Sequence, residues 1–225
     1  MKYISNVEPR RLGLTDGEDD EGMFPVTYTS IKSGQYNVYL FGAIHSPMQF
    51  IPAIEALEAA GPEDTVVINL SCPGGDLDST DTFLQAMRES EGRVVVRASG
   101  GCHSAASVIL LRAEEFTLSE NFNCLIHNGA CGAYGDFNKF AAAAKRSMEY
   151  MNQIMRQSYE GFLTSEEIDQ LIEGKDFWVS RDEFIVRVAN RQDYFEEAAK
   201  VLELASLPQP VKRVRKKAVA VAVEA

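Results

Sequence analysis

The run Val66-Val67-Ile68-Asn69-Leu70 is nearly all apolar and ends at a turn, Ser71-Cys72-Pro73-Gly74-Gly75-Asp76. A strand with almost no polar face must be covered on both sides, which is the situation inside a parallel sheet. Strand-like segments at 36–42 and 93–98 flank it, and helical patterns at 48–60 and 78–90 separate the three. Strand, helix, strand, helix is the rhythm of stacked βαβ units, so an α/β fold is predicted.

The rest of the chain is read the same way. Short strands are predicted near 116–118 and 124–127, and a glycine-spaced segment, Asn128-Gly129-Ala130-Cys131-Gly132, follows. A long helix should run from about 136 to 161. Its apolar positions Phe137, Ala141, Ala144, Met148, Met151 and Met155 alternate spacings of four and three, giving one stripe that faces either the core or another subunit. Thr164-Ser165-Glu166-Glu167 is a capping box ahead of Ile168 and Leu171, and Ser180-Arg181-Asp182-Glu183 is a second. A last helix is predicted at about 193–205, before Pro208 and Pro210 end regular structure.

A chain of 225 residues suffices for one α/β domain with tails. The domain is placed at 23–206. Residues 1–22, ending in Asp16-Gly17-Glu18-Asp19-Asp20-Glu21, read as a disordered acidic arm. Residues 207–225 read as a low-complexity tail, basic at Lys212-Arg213-Val214-Arg215-Lys216-Lys217 and then alternating Ala and Val. That basic cluster is a solvated tail or a ligand for an acidic surface, such as a neighbouring subunit's acidic arm. A net charge of −11 argues against nucleic acid as a partner. No apolar run approaches the roughly 20 residues of a membrane span, and Met1–Asn6 lacks a secretory h-region. A cytoplasmic location is therefore expected. The four cysteines, Cys72, Cys102, Cys124 and Cys131, form no C-x-x-C pair and show no metal-ligand spacing, so no metal site is predicted. Cys102 and Cys124 read as buried thiols.

Gly100-Gly101-Cys102-His103-Ser104-Ala105-Ala106-Ser107 carries the strongest chemical signal. It is a small-residue turn between the segment ending at Arg97 and the apolar run Val108-Ile109-Leu110-Leu111. A serine at such a junction exposes its hydroxyl beside free backbone N–H groups, which suits a nucleophile. The Pro73-Gly74-Gly75 turn ends the preceding strand, at the carboxyl edge where α/β sheets hold their sites. The N–H groups of Gly75 and Ala105 are candidates for an oxyanion hole.

A nucleophilic serine needs a base, and the chain has three histidines. His103 adjoins Ser104, so the two side chains should diverge. His45 precedes Pro47 in a loop and suits a surface or structural role. His127 ends an apolar strand and enters a glycine-rich loop, which makes it the candidate base. Asp176, in Lys175-Asp176-Phe177-Trp178-Val179, is the candidate carboxylate that fixes the imidazole, at a position expected to be partly buried.

The order of PGG, a Gly/Ala-flanked serine, Leu-Ile-His and Asp-Phe-Trp-Val-Ser resembles the ClpP-like serine peptidases over residues 36–190. It looks closest to the phage-type members associated with head maturation, which carry a Ser-Ala-Ala-Ser-Val-Ile stretch like Ser104 to Ile109. The resemblance implies a ClpP/crotonase-type fold with a long protruding handle helix within 129–161. It implies Ser104 as nucleophile, His127 as general base, Asp176 as orienting acid, and Gly75 with Ala105 as oxyanion hole. It also implies substrate binding at Gly74, Gly129 and Ala130, a homo-oligomeric ring, and peptide or unfolded-protein substrates, with no cofactor. An ATP-dependent unfoldase, or a phage capsid or scaffold protein, would be a partner, and the host cytoplasm the location of a phage-encoded member. The chain departs from the family in having Cys102 and His103 where two alanines usually precede the serine. It also has Asn128-Gly129 after the histidine and a short segment between Ser104 and His127. The alternatives are an acyl-CoA enzyme of the crotonase type and a catalytically inactive assembly or scaffold protein.

Overall fold

The computed structural model describes residues 27–32, 34–130 and 136–206. The predicted acidic arm, the domain start near Met23, Cys131 and the basic tail lie outside the described residues. The elements in chain order are β1 (Thr27–Lys32), β2 (Gln35–Phe41), a 3₁₀ turn (Pro47–Phe50), α1 (Ile51–Ala59), β3 (Thr65–Cys72), α2 (Leu77–Glu89) and β4 (Arg93–His103). Then come α3 (Ala105–Leu111), β5 (Glu115–Leu118), β6 (Asn123–Ile126), α4 (Phe137–Tyr159), α5 (Ser165–Ile172), β7 (Phe177–Ser180) and α6 (Arg181–Ser206).

The seven strands of the described residues belong to one sheet, ordered β1-β2-β3-β4-β6-β7 with β5 also on β4. The pairs from β2 to β6 are parallel, while β1 and β7 close the two ends antiparallel. The predicted double-sided burial of β3 is observed: Val66, Val67 and Ile68 are successive and all buried. Phe50 stacks on Phe83 at 4.7 Å and ties the 3₁₀ turn to α2.

Four differences from the sequence reading matter for the site. First, β4 does not stop at Ala98 but runs through both glycines to His103. Val95–Ala98 pairs with β5 and Gly101–His103 pairs with β6. Glycine leaves no hydrophobic pattern to read, yet its backbone still pairs. Second, β7 occupies Phe177–Ser180 and pairs with β6. Third, α6 is continuous from Arg181 to Ser206, so the capping box at Ser180–Glu183 and the last helix expected from about 193 belong to one helix. Fourth, the stripe on α4 divides. Met155 and Tyr159 are buried in the core, whereas Phe137 is 94% and Met148 63% exposed. Most of α4 therefore stands off the core.

The segment carrying Asp176 is held from both sides. The Arg187 guanidinium on α6 donates two hydrogen bonds to the Glu167 carboxylate on α5, both at 2.8 Å, and one to the Phe162 carbonyl at 3.2 Å. Its Nε donates to Glu183 at 2.9 Å. This bidentate pairing holds the Glu167 carboxyl below its ordinary range and fixes α5 against α6, with β7 between them in the chain.

Candidate active site

Ser104 sits at the junction of β4 and α3 with φ 53° and ψ −126°. It is the sole non-glycine residue with positive φ among the described residues. A β-carbon in that region costs on the order of 1–3 kcal/mol, so the surroundings must hold it. They do so on three sides. Ser104 N donates to the Leu125 carbonyl on β6 at 2.7 Å. The Ser104 carbonyl accepts from Ser107 N at 2.9 Å and from Ser107 Oγ at 2.7 Å. Ser107 Oγ is also 2.8 Å from the hydroxyl of fully buried Tyr159. Because the Ser107 proton is committed to a carbonyl, Tyr159 is the donor in that contact. Burial pushes the Tyr159 phenol well up and keeps it protonated for this role.

The turn after β3 supplies the opposite wall. A β-carbon on Gly74 would lie 2.5 Å from the His103 carbonyl oxygen, 2.8 Å from Ser104 Cβ and 2.9 Å from Ala105 N. Gly74 has φ +90° and Gly75 φ +143°, and a side chain on Gly75 would overlap the Ile44 carbonyl. Ile44 clamps this turn, donating to the Gly74 carbonyl and accepting from Asp76 N, both at 2.8 Å. Backbone from the first glycine turn thus lies against the Ser104–Ala105 peptide with no side chain between. Among the described residues, neither Gly75 N–H nor Ala105 N–H donates to another protein group.

His127 and Asp176 flank one rung of the sheet. Ile126 pairs with Phe177, His127 follows Ile126, and Asp176 precedes Phe177. On the other side of β6, His103 pairs with Leu125. Three adjacent strands therefore bring Ser104, His127 and Asp176 to the same end of the sheet. Their side chains are not joined: no hydrogen bond links Ser104 Oγ, His127 and Asp176 among the described residues. Asp176 is exposed, contrary to the partial burial expected from its apolar neighbours. Phe177 and Val179 turn toward the protein while Asp176 stays at the strand's open end.

The loop after His127 is pinned by Asn128, whose side-chain amide donates to the Ile172 carbonyl at 3.0 Å and whose oxygen accepts from Gly129 N at 2.9 Å. Gly129 packs against Met151 of α4, so the loop and the long helix meet there. Ala130 is exposed beside it. His45 is exposed and remote in role, its backbone N–H held by Gln49 at 2.8 Å.

Cys72, Cys102 and Cys124 form a row across β3, β4 and β6, paired Cys72 with Cys102 and Cys102 with Cys124. All three are buried. Burial raises all three thiols, Cys124 to about 12. They are inert packing beneath the serine turn, as expected for Cys102 and Cys124.

A family profile, Clp protease, matches residues 34–186. The chain belongs to the Clp protease family. No curated protein matches the chain. The mixed α/β fold with its central sheet is that of this family, and the family's chemistry is peptide hydrolysis. The match spans β2 to the start of α6, and so includes the serine turn, the glycine turn, His127 and Asp176.

Within this Clp protease domain, several residues at the site were not singled out from sequence for a role there. Tyr159 and Ser107 support the serine turn from α4 and α3, and Trp178 stands at β7 beside His103. The rings of His103 and Trp178 meet edge to face at 5.5 Å. Only the spacing of Ser107, three residues after Ser104 at the head of an apolar run, offered a sequence signal.

Proposed function

We propose that this Clp protease family member is a serine endopeptidase working through an acyl-enzyme. Ser104 Oγ attacks the peptide carbonyl carbon while His127 takes its proton. His127 then gives that proton to the leaving amine, and water repeats the sequence on the acyl group. Asp176 orients His127 and stabilises the imidazolium. The N–H groups of Gly75 and Ala105 hold the oxyanion. Substrate binds extended along a sheet edge, with its backbone running past Gly74, Gly129 and Ala130. No cofactor takes part.

The observation that carries this reading is the backbone of Ser104, φ 53° and ψ −126°, with the Gly74 backbone packed on its Cβ. Strain of this kind, braced on every side, is what holds a nucleophile exposed above a turn. The open N–H groups of Gly75 and Ala105 support the same reading.

The exposed apolar residues of α4 support a homo-oligomeric ring in which α4 acts as the handle. In that setting peptides or unfolded chains are the substrates, with phage prohead maturation in the host cytoplasm as the specific role. A capsid or scaffold protein, or an ATP-dependent unfoldase, would be the partner. One observation favours a second reading, an inactive assembly component: the side chains of Ser104, His127 and Asp176 share no hydrogen bond, and Asp176 is exposed. Turnover of an unstructured, fluorescently labelled protein separates the two. Hydrolysis lost in both Ser104→Ala and Asp176→Asn supports the peptidase. Hydrolysis that persists in purified Ser104→Ala overturns the Ser104 assignment, and its absence from a folded wild-type oligomer supports the alternative.

A further inference from the structure

His103 stands where the family usually has alanine, and its ring is locked from three directions. Nδ1 accepts from the Leu125 N–H at 3.0 Å. Trp178 meets the ring edge at 5.5 Å. The ring lies over Gly101, where an added β-carbon would come 2.5 Å from Nε2. The contact with Leu125 dictates the charge state. A backbone N–H can only donate, so Nδ1 must carry a lone pair, and the proton of the neutral ring resides on Nε2. The same Leu125 residue also receives the Ser104 N–H on its carbonyl at 2.7 Å. Leu125 is therefore held through its N–H by His103 and through its C=O by Ser104, two residues before His127.

We propose that His103 is a positioning residue for the Ser104–His127 site: its neutral imidazole clamps β6 to β4, and protonation opens the clamp. This rests on the peptidase reading above. Protonation places a second N–H against the Leu125 N–H, turning an attraction into a donor–donor repulsion. The strand end that carries His127 is then held by one fewer bond, next to the strained serine turn.

The groups around the ring bear on its titration. Its own strand contributes Gly101 and the buried Cys102. β6 contributes Leu125 and, at its end, His127. β7 contributes Trp178, with Asp176 exposed two residues earlier and Lys175 drawn aside over the Phe177 ring. The turn after β3 packs the Gly74 backbone against the His103 carbonyl. Burial, and then the proximity of His127, push the His103 pKa below its ordinary value. A base whose pKa is lower when folded binds fewer protons in the native state. The native state therefore loses stability as pH falls from about 6.5, the unfolded value, through the lower folded value.

The test combines three readouts on the full chain. The first is amide hydrogen exchange at Leu125, expressed as a protection factor. Wild type should lose about tenfold protection across the acid window, whereas His103→Asn, whose side-chain oxygen still accepts but does not titrate, should keep it. His103→Leu and Gly101→Ala, which remove or displace the acceptor, should lack that protection at neutral pH. The second is fluorescence of Trp178, the single tryptophan. Protonated imidazole quenches indole, so emission should fall with a midpoint below about 6.5, and the step should vanish in His103→Asn. The third is the rate of fluorophosphonate labelling at Ser104 against pH. Its acid limb should involve two protons in wild type and one in His103→Asn, and labelling lost in His103→Leu should be restored by His103→Asn. Equal Leu125 protection in wild type and His103→Leu would overturn the clamp, as would a one-proton limb shared by wild type and His103→Asn. Absence of a wild-type Ser104 adduct would instead overturn the peptidase reading, and the positioning role with it, while the exchange and fluorescence data still report on the clamp itself.

Discussion

Ser107 donates its hydroxyl proton to the carbonyl of Ser104 at 2.7 Å. The bond ties the strained residue to the first turn of α3, and Tyr159 completes it from α4 by donating to Ser107 at 2.8 Å. A position that costs free energy locally is thus held by two buried hydroxyls, those of Ser107 and Tyr159. Tyr159→Phe should lower stability by about 1 kcal/mol, since one buried bond is lost. It should also slow Ser104 labelling several-fold. Chemical denaturation and labelling kinetics on the same preparation check both effects. Unchanged labelling would mean that the turn keeps its geometry without α4.

Gly74→Ala tests the wall opposite the serine. The new β-carbon would meet the Ser104 side chain and the Ala105 N–H, and its φ of +90° disfavours any side chain. Reactivity at Ser104 should fall by about 100-fold or more, the cost of losing an oxyanion donor. Near-native circular dichroism would locate the loss at the site. Full reactivity would separate this glycine turn from the chemistry.

The Arg187–Glu167 pair should give stability a carboxylate-type pH dependence. The Glu167 carboxyl is held below its ordinary value, about 4.5, chiefly by the Arg187 hydrogen bonds. Its contribution is present above the unfolded pKa and is lost as pH falls through the lower folded value. Glu167→Gln should cost about 1–3 kcal/mol at pH 7, a difference that shrinks toward zero below the folded pKa. Urea unfolding of both proteins in a pH series descending from 7 measures it. A penalty independent of pH would assign the pair a packing role alone.

If α4 is the contact between copies, charge on its exposed face should weaken assembly. Phe137→Glu with Met148→Glu should shift the protein to smaller species at micromolar concentration, as measured by light scattering. Tyr159 and Met155 remain in the core, so the monomer fold should persist. An unchanged mass would remove α4 from the assembly contact.

The central strands were legible because burial writes itself into composition. Val66 to Leu70 must be covered on both faces, and the helices on either side carry their periodicity openly. The strand–helix junction at Ser104 was legible because glycine, alanine and serine there precede an apolar run of helical length. The upper half of β4 was not, because Gly100 and Gly101 erase the pattern while their backbone still pairs. β7 has four residues, and only pairing with β6 distinguishes Phe177-Trp178-Val179 from an apolar turn. α6 has apolar residues on several sides, so no single stripe joins the capping box at Ser180 to the helix expected from Asp193. The exposure of Asp176 depends on which end of β7 faces solvent, and the role of His103 depends on register between β4 and β6. Neither is local in sequence.

The central claim, that Ser104 is an activated nucleophile served by His127, is tested most directly by treating the folded protein with a fluorophosphonate and mapping the adduct by peptide mass spectrometry. The expected result is a single adduct on Ser104, lost in Ser104→Ala and reduced by at least about 100-fold in His127→Ala. A folded wild-type protein that carries no adduct, or labels equally well without His127, would contradict it.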